Sequence, residues 1–245
     1  MTIQNTNCDI HGPFVTETRF DLLAGCPKCR DERLEGADRE HAFSEARRRL
    51  DSTCVPLRFR EKTLESFKAY TPAQENVLGV ARDYVYRFPV HYGDGRCLVL
   101  SGNIGTGKTL LASAIIQSLI NVEFFSRKQA HSTIIYRAKY TTATEIIRRI
   151  RDTWGTKTST TTVMEGFANV DLLIIDEIGA QTGTDNERAL LFELIDLRYQ
   201  TALPTVVITN CDREGLTKAL GERAVDRLRD NGGLLCIFDW ESWRK

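Results

Sequence analysis

An α/β fold, a parallel sheet flanked by helices, is predicted for this chain by three observations. Apolar runs of strand length alternate with segments of helical period, the pattern of strands joined by crossover helices. One run, Cys97–Ser101, leads through the glycine-rich stretch Gly102-Asn103-Ile104-Gly105-Thr106-Gly107-Lys108-Thr109 into an apolar helical segment, Leu110–Leu119. Another, Val170–Asp176, closes on the acid pair Asp176-Glu177. In a sheet of this kind a ligand sits beyond the carboxyl ends of the strands, which is where both motifs fall.

The remaining elements follow in order. Ser132–Tyr136 reads as a strand and Thr142–Trp154 as a helix, followed by a polar loop, Gly155–Thr162. Asp185–Tyr199 reads as a helix whose apolar face carries Leu190, Leu191, Leu194, Ile195 and Leu197. Pro204–Thr209 is an apolar strand ending at Asn210. Gly215–Arg229 is helical with a break near Gly221, and Leu234–Phe238 is a last strand.

The glycine-rich stretch fits G-x-x-x-x-G-K-[ST], the loop that cradles nucleotide phosphates. Its glycines let backbone N–H groups turn inward, and the helix that follows adds its positive end. Expected nucleotide contacts are Gly102, Asn103, Ile104, Gly105, Thr106, Gly107, Lys108, Thr109 and Leu110. Lys108 would reach the β- and γ-phosphates, and the Thr109 hydroxyl would bind Mg²⁺. An apolar strand ending in Asp-Glu after such a loop is the Walker B pattern. There Asp176 would order the Mg²⁺ shell and Glu177 would polarise the attacking water.

The start of the chain carries a different chemistry. Cys8-Asp-Ile-His11 and Cys26-Pro-Lys-Cys29 are two ligand pairs, each with two intervening residues, inside one short segment. Four such ligands suit a closed, structural Zn²⁺ site. Phe14–Phe20 between them alternates like a strand. A module this small cannot bury enough core to fold alone, so the metal would supply the missing stability. Cys97, Cys211 and Cys236 lie in or beside apolar runs and read as small buried hydrophobes. The expected organisation is a zinc module over 1–35, a charged helical connector over 36–62, and a nucleotide-binding domain over 63–245.

Composition narrows the class. The 245 residues carry 33 Lys+Arg against 33 Asp+Glu, so binding to nucleic acid would need a local patch or an assembly. No apolar stretch approaches a membrane span, and the first residues lack the pattern of a secretory signal, so the expectation is a cytoplasmic protein.

Four segments in series make the resemblance specific: the phosphate loop, Asn169–Gly179, Thr209-Asn210, and Leu220–Leu228. Together they resemble the DnaC-type replicative helicase loaders, AAA+ ATPases related to the initiator DnaA and the transposition helper IstB. The similarity covers Phe67–Trp243, and Ile237–Trp243 is similar to the loader tail. The zinc-knuckle start resembles the phage- and prophage-encoded form. The resemblance implies that Asn210 reads the γ-phosphate as sensor I. It implies that Arg227 is an arginine finger reaching a neighbour's nucleotide in a head-to-tail oligomer, with Arg223 its rival. No sensor II residue is assigned. It further implies that Thr142–Trp154 touches single-stranded DNA. Arg148, Arg149 and Arg151 would meet phosphates there, Trp154 would stack on a base, and Ile146, Ile147 and Ile150 would face the core. The implied partner is the hexameric DnaB-type replicative helicase, gripped by the amino-terminal module. Two other functions share these motifs: an IstB-like helper that binds duplex DNA and a transposase, and a helicase-binding replication inhibitor.

Overall fold

The computed structural model describes residues 2–19, 22–23, 28, 32, 44–121, 124–125, 133–157, 159–181 and 183–243. The chain divides into two compact units, Met1–Arg48 and Arg49–Lys245, so the boundary falls inside the charged segment 36–62.

In the first unit β1 (Thr2–Cys8) and β2 (Gly12–Arg19) form an antiparallel hairpin, with β3 (Leu22–Leu23) beside β2. The hairpin turn, Asp9–His11, is closed by the pairing of Cys8 with Gly12. Of the expected strand Phe14–Phe20, Phe14–Arg19 falls on β2 and Phe20 lies outside the described residues, whereas the polar β1 carried no periodic signal to predict it.

The second unit holds a five-stranded parallel sheet. Its strands are β4 (Leu98–Gly102), β7 (Ala138–Thr142), β8 (Leu172–Ile178), β9 (Thr205–Thr209) and β10 (Leu234–Phe238), in the order β10-β4-β9-β8-β7. A separate pair, β5 (Phe124–Phe125) and β6 (Thr133–Ile134), is antiparallel. This corrects the expected strand Ser132–Tyr136. Its Thr133-Ile134 lies in the small pair, and the sheet position belongs to Ala-Lys-Tyr-Thr-Thr, whose edge location tolerates polar residues that blur the strand pattern.

Each face of the sheet has its own apolar cluster. On one face α1 (Pro72–Tyr86), α2 (Phe88–Asp94) and α3 (Lys108–Asn121) cover Leu98, Leu100, Ile174, Val206 and Phe238. On the other, α4 (Ala143–Arg151), α5 (Thr160–Ala168), α6 (Asp185–Gln200), α7 (Arg213–Leu220) and α8 (Glu222–Arg229) cover Val99, Leu173, Ile175 and Val207. Side chains alternate across each strand, so one strand serves both clusters. The break at Gly221 lies between α7 and α8 as expected.

Three helices were not read from the sequence. For α1 a signal was present. Pro72 is its first residue, the Thr71 hydroxyl accepts the Gln74 N–H at 3.3 Å, and Gln74 accepts the Thr71 N–H in return at 3.2 Å. α2 follows one residue after α1 and is too short to show periodicity. α5 starts inside the expected loop, where the threonines that suggested a loop follow the Ser159 cap. Among the described residues no helix is long and apolar enough to cross a membrane.

Candidate functional site

β4 ends at Gly102, where the chain leaves the sheet by a turn that excludes a side chain. A Cβ there would lie 2.2 Å from the carbonyl oxygen of Phe238, and φ is +137°. The loop 103–107 then leads into α3, which starts at Lys108. The Lys108 ammonium is buried within the loop and donates to the carbonyls of Gly102 (2.8 Å) and Asn103 (2.6 Å).

The acid pair sits beside it because of an irregularity in β8. Ile175 pairs with Val207 and Ile178 with Thr209, so Asp176 and Glu177 together stand opposite Ile208. Such a bulge re-aims the side chains it carries. Glu177 takes φ +60°, uncommon for a residue with a Cβ, and is exposed. Strained backbone of this kind is tolerated where surrounding structure enforces it, commonly at functional sites. Asp176 turns inward and is 5% exposed. Its Oδ2 accepts from the Thr109 hydroxyl at 2.9 Å and the Tyr140 hydroxyl at 2.6 Å, and its Oδ1 accepts the Glu177 N–H at 2.6 Å.

Lys108, Thr109, Asp176, Glu177 and Asn210 line one cleft of about 300 Å³, together with Ile104–Gly107, Arg58, Phe59 and Trp243. The paired carboxylate and hydroxyl oxygens of Asp176 and Thr109 are hard donors of the kind Mg²⁺ takes, and a glycine-bearing loop at the start of α3 suits phosphate. The donor set therefore fits a magnesium nucleotide.

The tail after β10 braces the loop. The Trp240 indole N–H donates to the Thr106 carbonyl at 3.1 Å, and the Trp243 N–H donates to that of Gly105 at 3.0 Å. The Asn103 amide donates to the carbonyls of Asp239 (3.2 Å) and Trp240 (3.3 Å). Phe67 packs its edge on Trp243, ring centres 4.9 Å apart. A Cβ at Gly107 would come within 2.7 Å of the Trp243 ring. The sequence pointed to this tail by resemblance but gave no sign that it grips the phosphate loop.

Other expected site residues lie elsewhere. Arg227, on α8, is ion-paired to Asp196 of α6 in its own chain and lies over the rings of Phe192 (4.7 Å) and Tyr199 (5.3 Å). It does not line the cleft with Lys108 and Glu177. On α4, Ile146, Ile147 and Ile150 are buried as expected. Arg148 pairs with Glu145 and Asp152, Arg149 with Glu145, and Arg151 with the buried carboxylate of Glu187. The hydrogen bond from Arg149 foremost, and then those from Arg148, hold the Glu145 carboxyl below its ordinary range despite partial burial. Trp154 lies past the end of α4 and is 56% exposed.

In the first unit His11 stands in the hairpin turn with its Nε2 2.9 Å from a Glu32 carboxylate oxygen. Cys26, Cys29 and the side chain of Cys8 lie outside the described residues. Among the described residues no group of three or more His, Cys, Asp or Glu is placed to hold a metal.

A family model described as IstB-like ATP binding protein matches residues 38–226, most of the chain. The chain belongs to the DnaC-like, IstB-type family of AAA+ ATPases. The replicative helicase loader DnaC of Escherichia coli strain K12 is 32% identical over 229 residues, covering 93% of this chain and 87% of that protein. DnaC of Buchnera aphidicola subsp. Schizaphis graminum is 29% identical over 94% of this chain and 88% of its own length. A crystal structure of the DnaC helicase loader superposes with a TM-score of 0.62 at 22% identity, over 75% of this chain and 100% of that one. The replication initiator DnaA bound to AMPPCP and single-stranded DNA gives 0.59 at 18% identity, over 77% of this chain and 52% of that one. The family is one of P-loop ATPases, and it implies a nucleotide and Mg²⁺.

Proposed function

We propose that this chain is an ATP-dependent loader that delivers a hexameric DnaB-type replicative helicase onto single-stranded DNA. The likeness to the loader DnaC over 93% of the chain carries this reading. The cleft supports it by bringing together residues suited to each task. Lys108 neutralises the β- and γ-phosphates, and Glu177, exposed at the cleft, polarises the attacking water. Thr109 and Asp176 hold Mg²⁺, which when bound neutralises and orients the triphosphate. Asn210 reads the γ-phosphate from the end of β9.

Arg227 would complete the pocket of the next subunit in a head-to-tail oligomer, after leaving Asp196. DNA contact would fall to Trp154 and to Arg148, Arg149 and Arg151 once these exchange their carboxylate partners for phosphates. The amino-terminal module would hold Zn²⁺ through Cys8, His11, Cys26 and Cys29 and grip the helicase. In its favour, the β1–β2 hairpin brings Cys8 and His11 to a single turn. That start is unlike the host form and supports reading the chain as a phage- or prophage-type loader acting in the cytoplasm.

The test combines the chain with a hexameric replicative helicase and single-stranded DNA lacking free ends. ATP-dependent capture of the helicase and its transfer to DNA are expected. The family model's IstB-like description favours a second reading, a transposition helper. No helicase capture, together with ATPase activity stimulated by duplex DNA and not by single strands, would replace the first reading with the second. Capture that blocks transfer would make the chain a helicase inhibitor.

A further inference from the structure

Tyr140 has a hydroxyl that packing alone does not account for. It lies in the cluster that α1, α2 and α3 form with the sheet and is 7% exposed. Its neighbours in that cluster are apolar, and a phenylalanine ring would fill the same space. A buried hydroxyl without a partner is costly, so its partner matters. The partner is Asp176, at 2.6 Å, the shorter of the two hydrogen bonds to Oδ2.

The sheet register explains the meeting. β7 and β8 are parallel, with Tyr140 opposite Ile174 and Thr142 opposite Asp176. Tyr140 and Asp176 therefore lie on one face, offset by two residues along the strand, a diagonal a long aromatic side chain can span. α3 packs on that same face and brings Thr109 over the same oxygen. Asp176 is thus fixed from three directions: by β7 through Tyr140, by α3 through Thr109, and by its own bulge through the Glu177 N–H. Burial first, and then the charge of Asp176, push the Tyr140 phenol up.

We infer that Tyr140 is a positioning residue for magnesium: its hydroxyl fixes the Asp176 carboxylate in the orientation that metal binding uses. The inference rests on the proposed roles of Asp176 and Thr109. Without Tyr140, Oδ2 would have no remaining partner among the described residues if the Thr109 oxygen turned to a metal, and the Glu177 N–H alone would hold the carboxylate, through Oδ1. Partners that orient a metal ligand from outside the coordination sphere typically change metal affinity 10–100-fold when removed. A tyrosine that served packing alone would leave metal affinity untouched when changed to phenylalanine.

The test measures binding of a fluorescent ATP analogue to the full chain in EDTA and across a Mg²⁺ titration. In Tyr140→Phe the affinity in EDTA should match that of the unaltered chain. The Mg²⁺ concentration giving half of the metal-dependent gain should rise about tenfold. Thr109→Val is the control, since it removes a proposed ligand. If Thr109→Val does not move the Mg²⁺ midpoint, the assignment of the metal site itself falls, and this inference with it. If Thr109→Val moves the midpoint and Tyr140→Phe stays within twofold of the unaltered chain, only the role of Tyr140 is overturned. Tyr140→Met removes the hydroxyl with a more adaptable side chain and serves should the phenylalanine variant misfold. Loss of the EDTA affinity in both variants would assign Tyr140 to the fold and overturn the inference equally.

Discussion

Arg227 is held by contacts within its own chain, and those contacts can be weighed. Its ion pair with Asp196 is neither deep nor open: the two side chains are 25% and 22% exposed. A pair of that kind contributes about 1 kcal/mol, near the upper end for surface pairs. The Phe192 and Tyr199 rings, 4.7 and 5.3 Å away, add about 0.5 kcal/mol each. The total, about 2 kcal/mol, favours the self-bound arrangement about thirtyfold. If Arg227 acts on the next subunit's nucleotide, assembly works against that bias. Asp196→Asn removes the charge and keeps an oxygen to accept from Gln200, which donates to Asp196 at 2.8 Å. It should release about 1 kcal/mol, roughly a fivefold shift. The assay is ATPase rate against protein concentration. The half-maximal concentration should fall about fivefold in Asp196→Asn, while Arg227→Ala should abolish activity and keep nucleotide binding. A midpoint unchanged or raised in a folded Asp196→Asn protein would refute the release argument. Arg227 would then be a structural link between α6 and α8, and the exposed Arg223 would become the candidate.

Three further outcomes are expected. Lys108→Ala should lose ATP binding, whereas Glu177→Gln should bind normally and fail to hydrolyse, and equal loss of binding in both would make Glu177 structural. The purified chain should contain one zinc, and chelation or Cys26→Ser should unfold the amino-terminal unit while the ATPase unit keeps its thermal transition; less than about a tenth of an equivalent of zinc would remove the metal from the scheme. Arg198→Met should destabilise the ATPase unit by about 4 kcal/mol, lowering the melting temperature by roughly 8–16 °C. That guanidinium is fully buried and donates to Thr205 (2.9 Å) and to the carbonyls of Ala168 (2.7 Å), Val170 (2.8 Å) and Pro204 (2.6 Å), all left without their donor by the substitution. A drop of less than about 3 °C in a melt would show that water or backbone movement satisfies them.

The sequence by itself determined the parts whose chemistry is local. The phosphate loop needs glycines at set spacings and a lysine-threonine pair at a helix start, and these are adjacent in the chain. Core strands such as Leu98–Gly102, Leu172–Ile178 and Thr205–Thr209 carry unbroken apolar runs, Leu98–Leu100, Leu172–Ile175 and Val206–Ile208, because both faces are covered, so they stand out from any window. The edge strand Ala138–Thr142 is covered less completely and carries Lys139, and its weak pattern let the neighbouring Thr133–Ile134 pass for it. Tertiary structure alone decided the contacts made at long sequence separation. Tyr140 meets Asp176 across 36 positions because two parallel strands share a register and a face. Trp240 meets Thr106 across 134 because the last strand pairs with the first strand of the sheet. The resemblance gave Arg227 only a task on a neighbour's nucleotide and said nothing of its contacts within the chain. Asp196, Phe192 and Tyr199 became its neighbours only when α6 and α8 packed together, since nothing in local spacing encodes which helix lies alongside.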